Sequence, residues 1–483
     1  MNLRFVTKII GIVLCAAALC MIPSLLISLC THDGITWAFL TTMAIGLLLG
    51  GPLAVRRMDS DERMHLRDGF ATVAGCWVCL SFLCALPYWF SGALPNYFDA
   101  LFEAASGLTT TGASVVNDIE ALPKSLLFWR SFTQFLGGMG VLVLMLALLP
   151  KLGAGSAYLM RAESPGPIKG KLVPKIGQSA KILYIIYLIL IGAETICLRI
   201  AGMTWFDSIC HALCTISTGG FSTKNTSVAY FDSLVIDWIV IVFMLLAGIS
   251  FTLLFLMARR EFKAVRKDEE LRLYLAAILG AVVVIFLVLL MQGEMRPSFA
   301  LFTDTVFQVV TIITSTGYAT ADYMLWPTLA QCVLLALMVM GGCAGSTAGG
   351  VKGARILLLH KMLHRAVDKV IHPREVHVIL LSGKRVDEGT LASVCVFFYA
   401  YCALLIFGTV IVSLDNYGFA ASFSAALTSL SNIGPGLDIL GPSSNFFPLS
   451  NLSKLTLSAL MLIGRLEIIP ILVLLSPNGW VHK

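Results

Sequence analysis

The segment Thr311–Thr320 reads TIITSTGYAT, in which small hydroxyl residues and a glycine follow a short amphipathic stretch. Extended to TDTVFQVVTIITSTGYA (303–319), it has three partial copies, which read FDALFEAASGLTTTGAS (98–114), FDSICHALCTISTGGFS (206–222) and, in degenerate form, FAASFSAALTSLSNIGPG (419–436). A single Thr-Gly pair is common at the C-terminal cap of an ordinary helix. Four copies at matching positions instead predict equivalent units packed around a common axis.

The composition indicates an integral membrane protein. Of the 483 residues, 58% are hydrophobic and 13% are charged, and the mean hydropathy is +0.87. A soluble domain cannot hide that much apolar surface. Ten apolar stretches are long enough to cross about 30 Å of hydrocarbon; they lie near residues 9–30, 35–55, 69–91, 124–149, 179–201, 233–257, 271–292, 326–345, 389–413 and 452–475.

Shorter amphipathic segments precede the four glycine turns, near residues 96–108, 205–216, 299–313 and 418–430. They are too short to span and predict re-entrant half-helices, because irregular backbone at membrane depth must be buried in protein or line a water-filled path. The predicted fold is all-α and membrane-integral, with four pseudo-repeats of span, half-helix, filter loop and span around a central pore. Two N-terminal spans occupy 1–68; the repeats occupy 69–178, 179–270, 271–388 and 389–483, and the third contains a gate loop and a cytoplasmic segment.

The basic residues predict the topology. Of the 34 Lys and Arg, 27 fall on one side of the predicted spans; the others are Lys124, Arg130, Arg199, Lys224, Arg296, Lys454 and Arg465. By the positive-inside rule, the basic loops and both termini are cytoplasmic. Every half-helix then enters the membrane from outside.

The half-helices and their turns have the chemistry of a cation filter. Half-helices that enter from outside direct the negative ends of their dipoles toward mid-membrane, which favours a cation. Ser, Thr and Gly have little side-chain bulk, so successive carbonyl oxygens can replace the hydration shell of an alkali cation. The turns lack an acidic ring, which argues against a divalent-cation filter. The predicted filter residues are Thr110, Thr111, Gly112, Ser217, Thr218, Gly219, Ser315, Thr316, Gly317, Asn432, Ile433 and Gly434.

Several motifs resemble one known family. They are SGLTTTGASV (106–115), WRSFTQFLGGMG (129–140), STGGFST (217–223), GYATADY (317–323), CAGSTAGGVKGARI (343–356), SNIGPG (431–436) and GRLEIIPILVLLSP (464–477). Over nearly its whole length, the chain is similar to Trk-type potassium uptake subunits (TrkH-like) of the Trk/Ktr/HKT superfamily. The additional N-terminal pair of spans favours the Trk branch over the shorter Ktr-like branch.

The resemblance implies potassium uptake across a bacterial cytoplasmic (inner) membrane, with potassium bound at the filter residues and no organic cofactor. It also implies a homodimer with one pore per subunit, gated by a cytosolic TrkA-like nucleotide-binding ring. An enzyme is not expected, since no nucleophile–base pair or metal cluster is evident at membrane depth, and nucleic acid is not an expected partner. The alternative is a potassium symporter coupled to protons or sodium, with Glu194 and Glu467 as candidate proton carriers.

The segment Gly341–Gly353, GGCAGSTAGGVKG, interrupts a predicted span with glycines that disfavour a straight helix. A close-packing glycine patch is one interpretation; a flexible intramembrane gate loop is the other, and the resemblance points to a gate at the same place. It lacks the Gly-Lys-Ser/Thr sequence of a phosphate-binding P-loop. The predicted gate residues are Gly341, Gly342, Gly345, Ser346, Thr347, Gly349, Gly350 and Arg465.

Ionisable residues within spans face the protein interior or water, because exposure to lipid is costly. Arg465 and Glu467 are expected mid-span, where Arg465 either ties two helices together or opposes cation passage below the filter; the resemblance supports the second interpretation. Arg130 is expected beside Glu103 as a structural brace for the first half-helix.

The basic loops at 259–272 and 352–385 are the predicted docking surface for the cytosolic partner. Contact with membrane lipid headgroups is the alternative for these loops.

Overall fold

The computed structural model describes residues 3–56, 66–138, 140, 176–291, 298–375 and 377–475. The predicted span at 124–149 extends beyond this part of the chain, and the basic segment 151–175, Arg296 and Lys483 lie outside it. The helices of the first half are α1 Leu3–Cys20, α2 Ile22–Thr31, α3 Thr36–Ala54, α4 Leu66–Phe90, α5 Tyr97–Leu108, α6 Lys124–Gly138, α7 Ile176–Ile200 and α8 Trp205–Ile216.

The second half continues the alternation of long and short helices. Its helices are α9 Leu234–Gly248, α10 Phe251–Ala258, α11 Phe262–Lys267, α12 Glu269–Met291, α13 Phe299–Ile313, α14 Thr328–Met340, α15 Gly353–Ile371, α16 Glu388–Val412, α17 Phe419–Ser431, α18 Asn451–Arg465 and α19 Ile469–Leu475. The strands β1 Leu380–Leu381 and β2 Lys384–Arg385 pair antiparallel and form a small hairpin between α15 and α16. The chain is therefore helical apart from this hairpin, as far as the structure describes it.

Among the residues that the structure describes, six helical stretches are long and apolar enough to cross a membrane, or seven if the bent pair α9–α10 is one span. Ten spans were predicted, so several of the predicted spans in the described ranges are shorter or broken; one break was expected, in the glycine-rich segment Gly341–Gly353. Helices α9 and α10 meet at 104°, α14 ends at Gly341 with φ 67°, and α18 ends before Glu467 and Ile468, which both have positive φ. Apolar composition alone does not reveal such breaks.

The four half-helices are α5, α8, α13 and α17, within one residue of their predicted bounds. Three begin at a polar side chain that caps a backbone N–H at 3.1 Å: Asn96 for Phe98, Thr204 for Asp207 and Ser298 for Leu301. The fourth begins after Gly418 without a side-chain cap. The C-terminal part of each half-helix is buried, so these short helices end inside the protein.

Candidate functional site

The four half-helices end in the same backbone geometry. One residue at each end is left-handed, with φ of 54–55°: Thr110, Thr218, Ser315 and Asn432. The next residue donates its N–H to the carbonyl five positions earlier, at 2.9 Å from Thr111 to Ser106, 2.8 Å from Gly219 to Cys214, 2.8 Å from Thr316 to Thr311 and 3.0 Å from Ile433 to Thr428. This is the Schellman arrangement of ordinary helix ends. The local backbone geometry is therefore the same under the helix-cap interpretation and under the filter interpretation.

The shared geometry corrects the register predicted for the second turn. Two residues after the left-handed position, each turn has a glycine with positive φ: Gly112, Gly220, Gly317 and Gly434. The prediction chose Gly219 as the equivalent glycine, but Gly219 occupies the position of Thr111, and Ser217 precedes the left-handed residue. Alignment of Phe98-Asp99 with Phe206-Asp207 would have identified Gly220 from the sequence.

These four glycines join the turns into a closed ring. A Cβ atom on any of them would meet the carbonyl oxygen that precedes the glycine of another turn; the contacts run from Gly112 to Gly219, Gly220 to Thr316, Gly317 to Ile433 and Gly434 to Thr111. Both the close approach and the positive φ require glycine. The turns therefore meet in chain order, and the fourth returns to the first.

Side chains also link the turns. Within the first and third turns, the hydroxyls of Thr109 and Thr111 lie 2.7 Å apart and those of Thr314 and Thr316 lie 2.8 Å apart. Asn432 joins the fourth turn to the first, because its amide nitrogen donates to the Thr111 hydroxyl at 2.9 Å. The degenerate fourth turn thus contributes an amide where the other three turns have hydroxyls.

The predicted pairing of Arg130 with Glu103 is present, with the Arg130 Nε 2.8 Å from a carboxylate oxygen and both side chains buried. Arg130 also donates to the carbonyl of Ser222 at 3.1 Å, and Glu103 accepts the N–H of Val115 at 3.0 Å. One buried ion pair therefore connects the segments that leave the first and second turns.

Sequence reasoning missed Gln134, which holds the second turn. Its amide nitrogen donates to the carbonyl of Gly219 at 2.6 Å, and its amide oxygen accepts the N–H of Phe221 at 3.2 Å. A Cβ atom on Gly219 would also collide with this amide. Gln134 belongs to the motif WRSFTQFLGGMG, where a glutamine in an apolar helix was the available signal.

The glycine-rich segment after α14 lies directly against the ring of turns. The N–H of Gly349 donates to the Ser315 hydroxyl at 2.6 Å, and the N–H of Gly350 donates to the carbonyl of Ser431 at 3.0 Å. The Thr347 hydroxyl donates to the carbonyl of Ile216 at 3.1 Å. This segment therefore contacts the ends of three half-helices.

The remaining predicted gate glycines shape the same segment. Gly341 and Gly350 both have positive φ and pack against each other, Gly342 packs against Ala348, and the Gly345 carbonyl accepts the N–H of Phe251 at 3.0 Å. Ser346 donates its hydroxyl to the carbonyl of Cys343 at 2.6 Å. The segment is a compact loop, held by its own backbone and by α10.

Arg465 joins this loop to the end of α6. Its guanidinium donates to the carbonyl of Thr347 at 2.8 Å and to the carbonyls of Gly137 and Gly138 at 2.6 and 2.7 Å. Arg465 therefore makes the structural tie that the first interpretation predicted. The second interpretation, in which Arg465 opposes cation passage, is compatible with its position beside the predicted gate loop.

Glu467 was expected in the middle of a span, but it lies at the break after α18. Its carboxylate pairs with Arg355 and lies 3.3 Å from the Lys352 ammonium. Lys352 ends the loop and Arg355 is in the first turn of α15. Glu467 thus holds the second end of the loop, and the pairing stabilises its ionised form.

A second carboxylate, Glu270, which sequence reasoning also missed, holds both ends of the loop. One oxygen accepts the N–H groups of Ala344 and Ala354 at 2.7 and 2.8 Å. The preceding residue, Glu269, pairs with Lys361 of α15 and accepts the N–H of Ser382 at 3.1 Å. The start of α12 therefore connects the loop with α15 and the small hairpin.

Outside the membrane-spanning helices, Asn225 bridges the segments after the first two turns. Its amide nitrogen donates to Asp118 at 2.9 Å and its amide oxygen accepts the N–H of Ile119 at 2.7 Å. The hydrogen bond from Asn225 holds the pKa of the Asp118 carboxyl below its usual value. This bridge connects the segments that follow two neighbouring turns.

A family model described as "TrkH: Cation transport protein" matches residues 35–481. The chain belongs to the TrkH family. Its members are transport proteins and not enzymes, which confirms the resemblance inferred from the motifs and the expectation that the chain is not an enzyme.

Individual relatives within the TrkH family match the entire chain. It is 38% identical over 484 residues to the "Trk system potassium uptake protein TrkH" of Salmonella typhimurium, covering 99% of this chain and 100% of that protein. It is 35% identical to the "Trk system potassium uptake protein TrkG" of Escherichia coli K12, with 99% of both chains covered. The crystal structure of the potassium transporter TrkH from Vibrio parahaemolyticus superposes with a TM-score of 0.87 at 35% identity, over 100% of both chains. The predicted all-helical membrane fold is thus confirmed.

Proposed function

We propose that this chain carries potassium into the cell through a central pore lined by the four turns. The closed ring of glycine–carbonyl contacts is the observation that carries the proposal, because four re-entrant turns meeting at membrane depth have no simpler structural purpose. Relatives named as potassium uptake proteins support potassium as the ion.

The ring supplies backbone and hydroxyl oxygens at the ends of four half-helix dipoles, which suits a dehydrated monovalent cation. With the corrected register, the filter consists of Thr110–Gly112, Thr218–Gly220, Ser315–Gly317 and Asn432–Gly434. Each turn belongs to one pseudo-repeat with the boundaries predicted from the sequence. Potassium is the transported ion, and the chain needs no organic cofactor.

The loop from Gly341 to Lys352 acts as the gate on the inner side of the filter. Its hydrogen bonds to Ser315 and Ser431 support this assignment, because they hold the loop against the ends of two of the turns that form the ring. Arg465 holds the loop closed through Thr347. Movement of α15, which follows the loop directly, opens the path.

The chain lies in a bacterial cytoplasmic membrane with both termini inside, as a homodimer whose subunits each contain a pore. A TrkA-like nucleotide-binding ring docks on the basic cytoplasmic segments 259–272 and 352–385 and drives α15. Lipid headgroups contact the remaining basic loops.

Coupled symport with protons or sodium is the second candidate. The pairing of Glu467 with two cations disfavours that residue as a proton carrier, because proton uptake would leave Lys352 and Arg355 without their counter-charge. Glu194 has no such pairing among the described residues and keeps this candidate open.

Uptake of radioactive rubidium into proteoliposomes tests the proposal, with and without the nucleotide-binding partner. We expect uptake that potassium suppresses more effectively than sodium, and a reversal potential that follows the potassium gradient alone. Uptake no greater than that of empty liposomes with the partner present would refute potassium conduction. A reversal potential that shifts with the pH gradient would favour the symporter.

A further inference from the structure

His211 is a buried histidine of the half-helix α8, and both of its ring nitrogens have hydrogen-bond partners. Its Nδ1 lies 2.8 Å from the backbone carbonyl of Asp207, one helical turn earlier, and its Nε2 lies 3.0 Å from the hydroxyl of Ser222. A carbonyl oxygen can only accept a hydrogen bond, so Nδ1 carries the hydrogen. The side chain therefore connects the half-helix with the segment that leaves the second turn.

The hydrogen bonds of Ser222 determine the protonation state of this imidazole. The Ser222 hydroxyl oxygen accepts the backbone N–H of Lys224 at 3.0 Å, which leaves its single hydrogen free to be donated to Nε2 of His211. An imidazolium would need Ser222 as an acceptor, and the hydroxyl hydrogen would then lose Nε2 as its own acceptor. The Arg130 guanidinium, which donates to the Ser222 carbonyl at 3.1 Å, already places a positive charge beside this site. The geometry therefore favours the neutral tautomer with its hydrogen on Nδ1.

Asp207 and His211 hold the same outgoing segment side by side. They lie one turn apart on α8, so their side chains share one face of the half-helix. The Asp207 carboxylate accepts the hydroxyl of Thr223 at 2.6 Å, next to the contact of His211 with Ser222. Ser222 and Thr223 closely follow Gly220, the glycine of the second turn. The second turn is therefore tied back to its own half-helix by two side chains.

His211 also meets the segment that follows the third turn. The Tyr318 hydroxyl donates to the backbone carbonyl of His211 at 3.2 Å, and the centroids of the two rings lie 5.8 Å apart. Tyr318 directly follows Gly317, the glycine of the third turn. The ring of Phe231 packs edge-on against the imidazole, with the centroids 5.4 Å apart. His211 is therefore packed between the segments that follow two neighbouring turns, and a shift of its ring would disturb both.

We propose that His211 is a positioning residue whose neutral imidazole, acting through Ser222, fixes the second turn in the geometry that discriminates potassium from sodium. This inference rests on the proposed function, because it assumes that the turns form the filter. A turn that loses this tie can shift its carbonyl oxygens toward a smaller cation, which lowers the discrimination. His211 acts on the ion only through the turn that it holds.

The test compares the parent protein with His211→Gln and His211→Asn in proteoliposomes, because these amides retain different halves of the imidazole. The glutamine amide reaches the position of Nε2 and can accept from Ser222, so the potassium-over-sodium preference of rubidium uptake should stay within about twofold of the parent. The asparagine amide reaches only the position of Nδ1 and loses Ser222, which should reduce the preference by up to about tenfold. Ser208→Ala is the control, since it removes a hydrogen bond within the same half-helix, to the carbonyl of Thr204 at 2.8 Å, and should keep the parental preference.

A double-mutant cycle separates this specific tie from a general loosening of the half-helix. Ser222→Ala should lower the preference at least as much as His211→Asn, and the double variant should be no worse than Ser222→Ala, because both changes remove the same hydrogen bond. Nitrogen-15 NMR of histidine-labelled protein should show a neutral imidazole with its hydrogen on Nδ1, and its signals should disappear in His211→Gln.

Parental preference in His211→Asn, or an equal loss in His211→Asn and His211→Gln, would overturn the inference. Full additivity in the double variant, or signals lost from His211→Gln that belong to an imidazolium, would overturn it as well. A failure of the filter assignment is distinguishable, since Gly220→Ala would then also show parental uptake and selectivity. If this inference alone fails, Gly220→Ala still abolishes selective uptake.

Discussion

The hydroxyl oxygen of Ser315 accepts the backbone N–H of Gly349 at 2.6 Å, and this hydrogen bond joins a turn of the proposed filter directly to the proposed gate loop. Ser315 is the left-handed residue of its turn. Gly349 lies between Thr347 and Gly350, which make the other contacts of the loop with the half-helix ends. A change in the loop is therefore transmitted to the turn through the Ser315 side chain alone. The proposed filter and the proposed gate loop therefore belong to one hydrogen-bonded unit.

Replacing Ser315 with alanine should raise basal rubidium uptake in the absence of the cytosolic partner, because the loop loses its acceptor on the third turn. The lost hydrogen bond is worth roughly 1 kcal/mol, which predicts an increase of about fivefold. Uptake into proteoliposomes measures the effect. Ser298→Ala is the matched control, since it removes the N-cap of the same half-helix and should lower thermal stability without raising uptake. Equal uptake by Ser315→Ala and the parent would contradict the link.

Gly220→Ala should abolish selective uptake, because a Cβ atom would collide with the carbonyl of Thr316 and the residue has φ 75°. The control is Gly202→Ala, which has φ 111° but open space around the added Cβ atom. Both variants carry the cost of positive φ, about 1 kcal/mol, so only the ring contact separates them. Rubidium uptake with sodium competition distinguishes the two, and parental selectivity in Gly220→Ala would refute the corrected register.

Arg465→Ala should increase basal uptake, since the loop carbonyl of Thr347 and the carbonyls at the end of α6 lose a shared charged donor. Shortening the segment 341–350 should also increase basal uptake. Electrophysiological recording of open probability measures both changes, with Arg199→Ala as a control because Arg199 donates to the carbonyl of Met203 and lies outside both the loop and the proposed docking segments. If neither change alters open probability or its regulation, the loop is not the gate.

Glu270→Ala should loosen both ends of the gate loop, because the N–H groups of Ala344 and Ala354 lose their common acceptor. An unsatisfied buried N–H costs about 1–3 kcal/mol, so hydrogen exchange across 343–354 should accelerate by at least about fivefold. Mass-spectrometric exchange measures this rate. Glu261→Ala, at an exposed residue that pairs with Arg259, should leave exchange in the loop as in the parent. Unchanged exchange in Glu270→Ala would show that Glu270 does not hold the loop.

Breaking the buried pair between Arg130 and Glu103 should destabilise the protein far more than breaking the exposed pair between Lys224 and Glu120. Removing one partner of a buried pair costs about 3–5 kcal/mol, whereas an exposed pair contributes about 0–1 kcal/mol. Thermal unfolding in detergent should therefore show a large loss for Glu103→Ala and almost none for Glu120→Ala. Comparable unfolding temperatures for the two variants would exclude the buried brace.

The sequence predicted local structure well where the signal repeats along the chain. Recurrence and amphipathic spacing located all four half-helices, and proximity at the outer ends of two helices predicted the pairing of Arg130 with Glu103. The second turn was misregistered because two adjacent glycines offered two solutions, and only the left-handed geometry at Thr218 selects Gly220.

Contacts between distant segments were not predictable from one sequence. Gln134 reaches Gly219, and Glu270 reaches both ends of the gate loop, only after the helices have packed. Hydropathy averages over windows longer than a single turn, so it treated the break at Glu467 as a continuous span. The glycines of the segment Gly341–Gly353 did predict the break at Gly341.

Because all four walls of the ring are encoded in one chain, each wall can acquire mutations independently. In a channel assembled from four identical subunits, every substitution appears four times around the axis. Here the fourth turn has Asn432 where the other turns have a Thr or Ser residue. It still keeps Gly434, which packs against the carbonyl of Thr111 in the first turn. After internal duplication, natural selection can therefore adjust ion preference one quarter at a time while the glycine contacts preserve the shape of the ring.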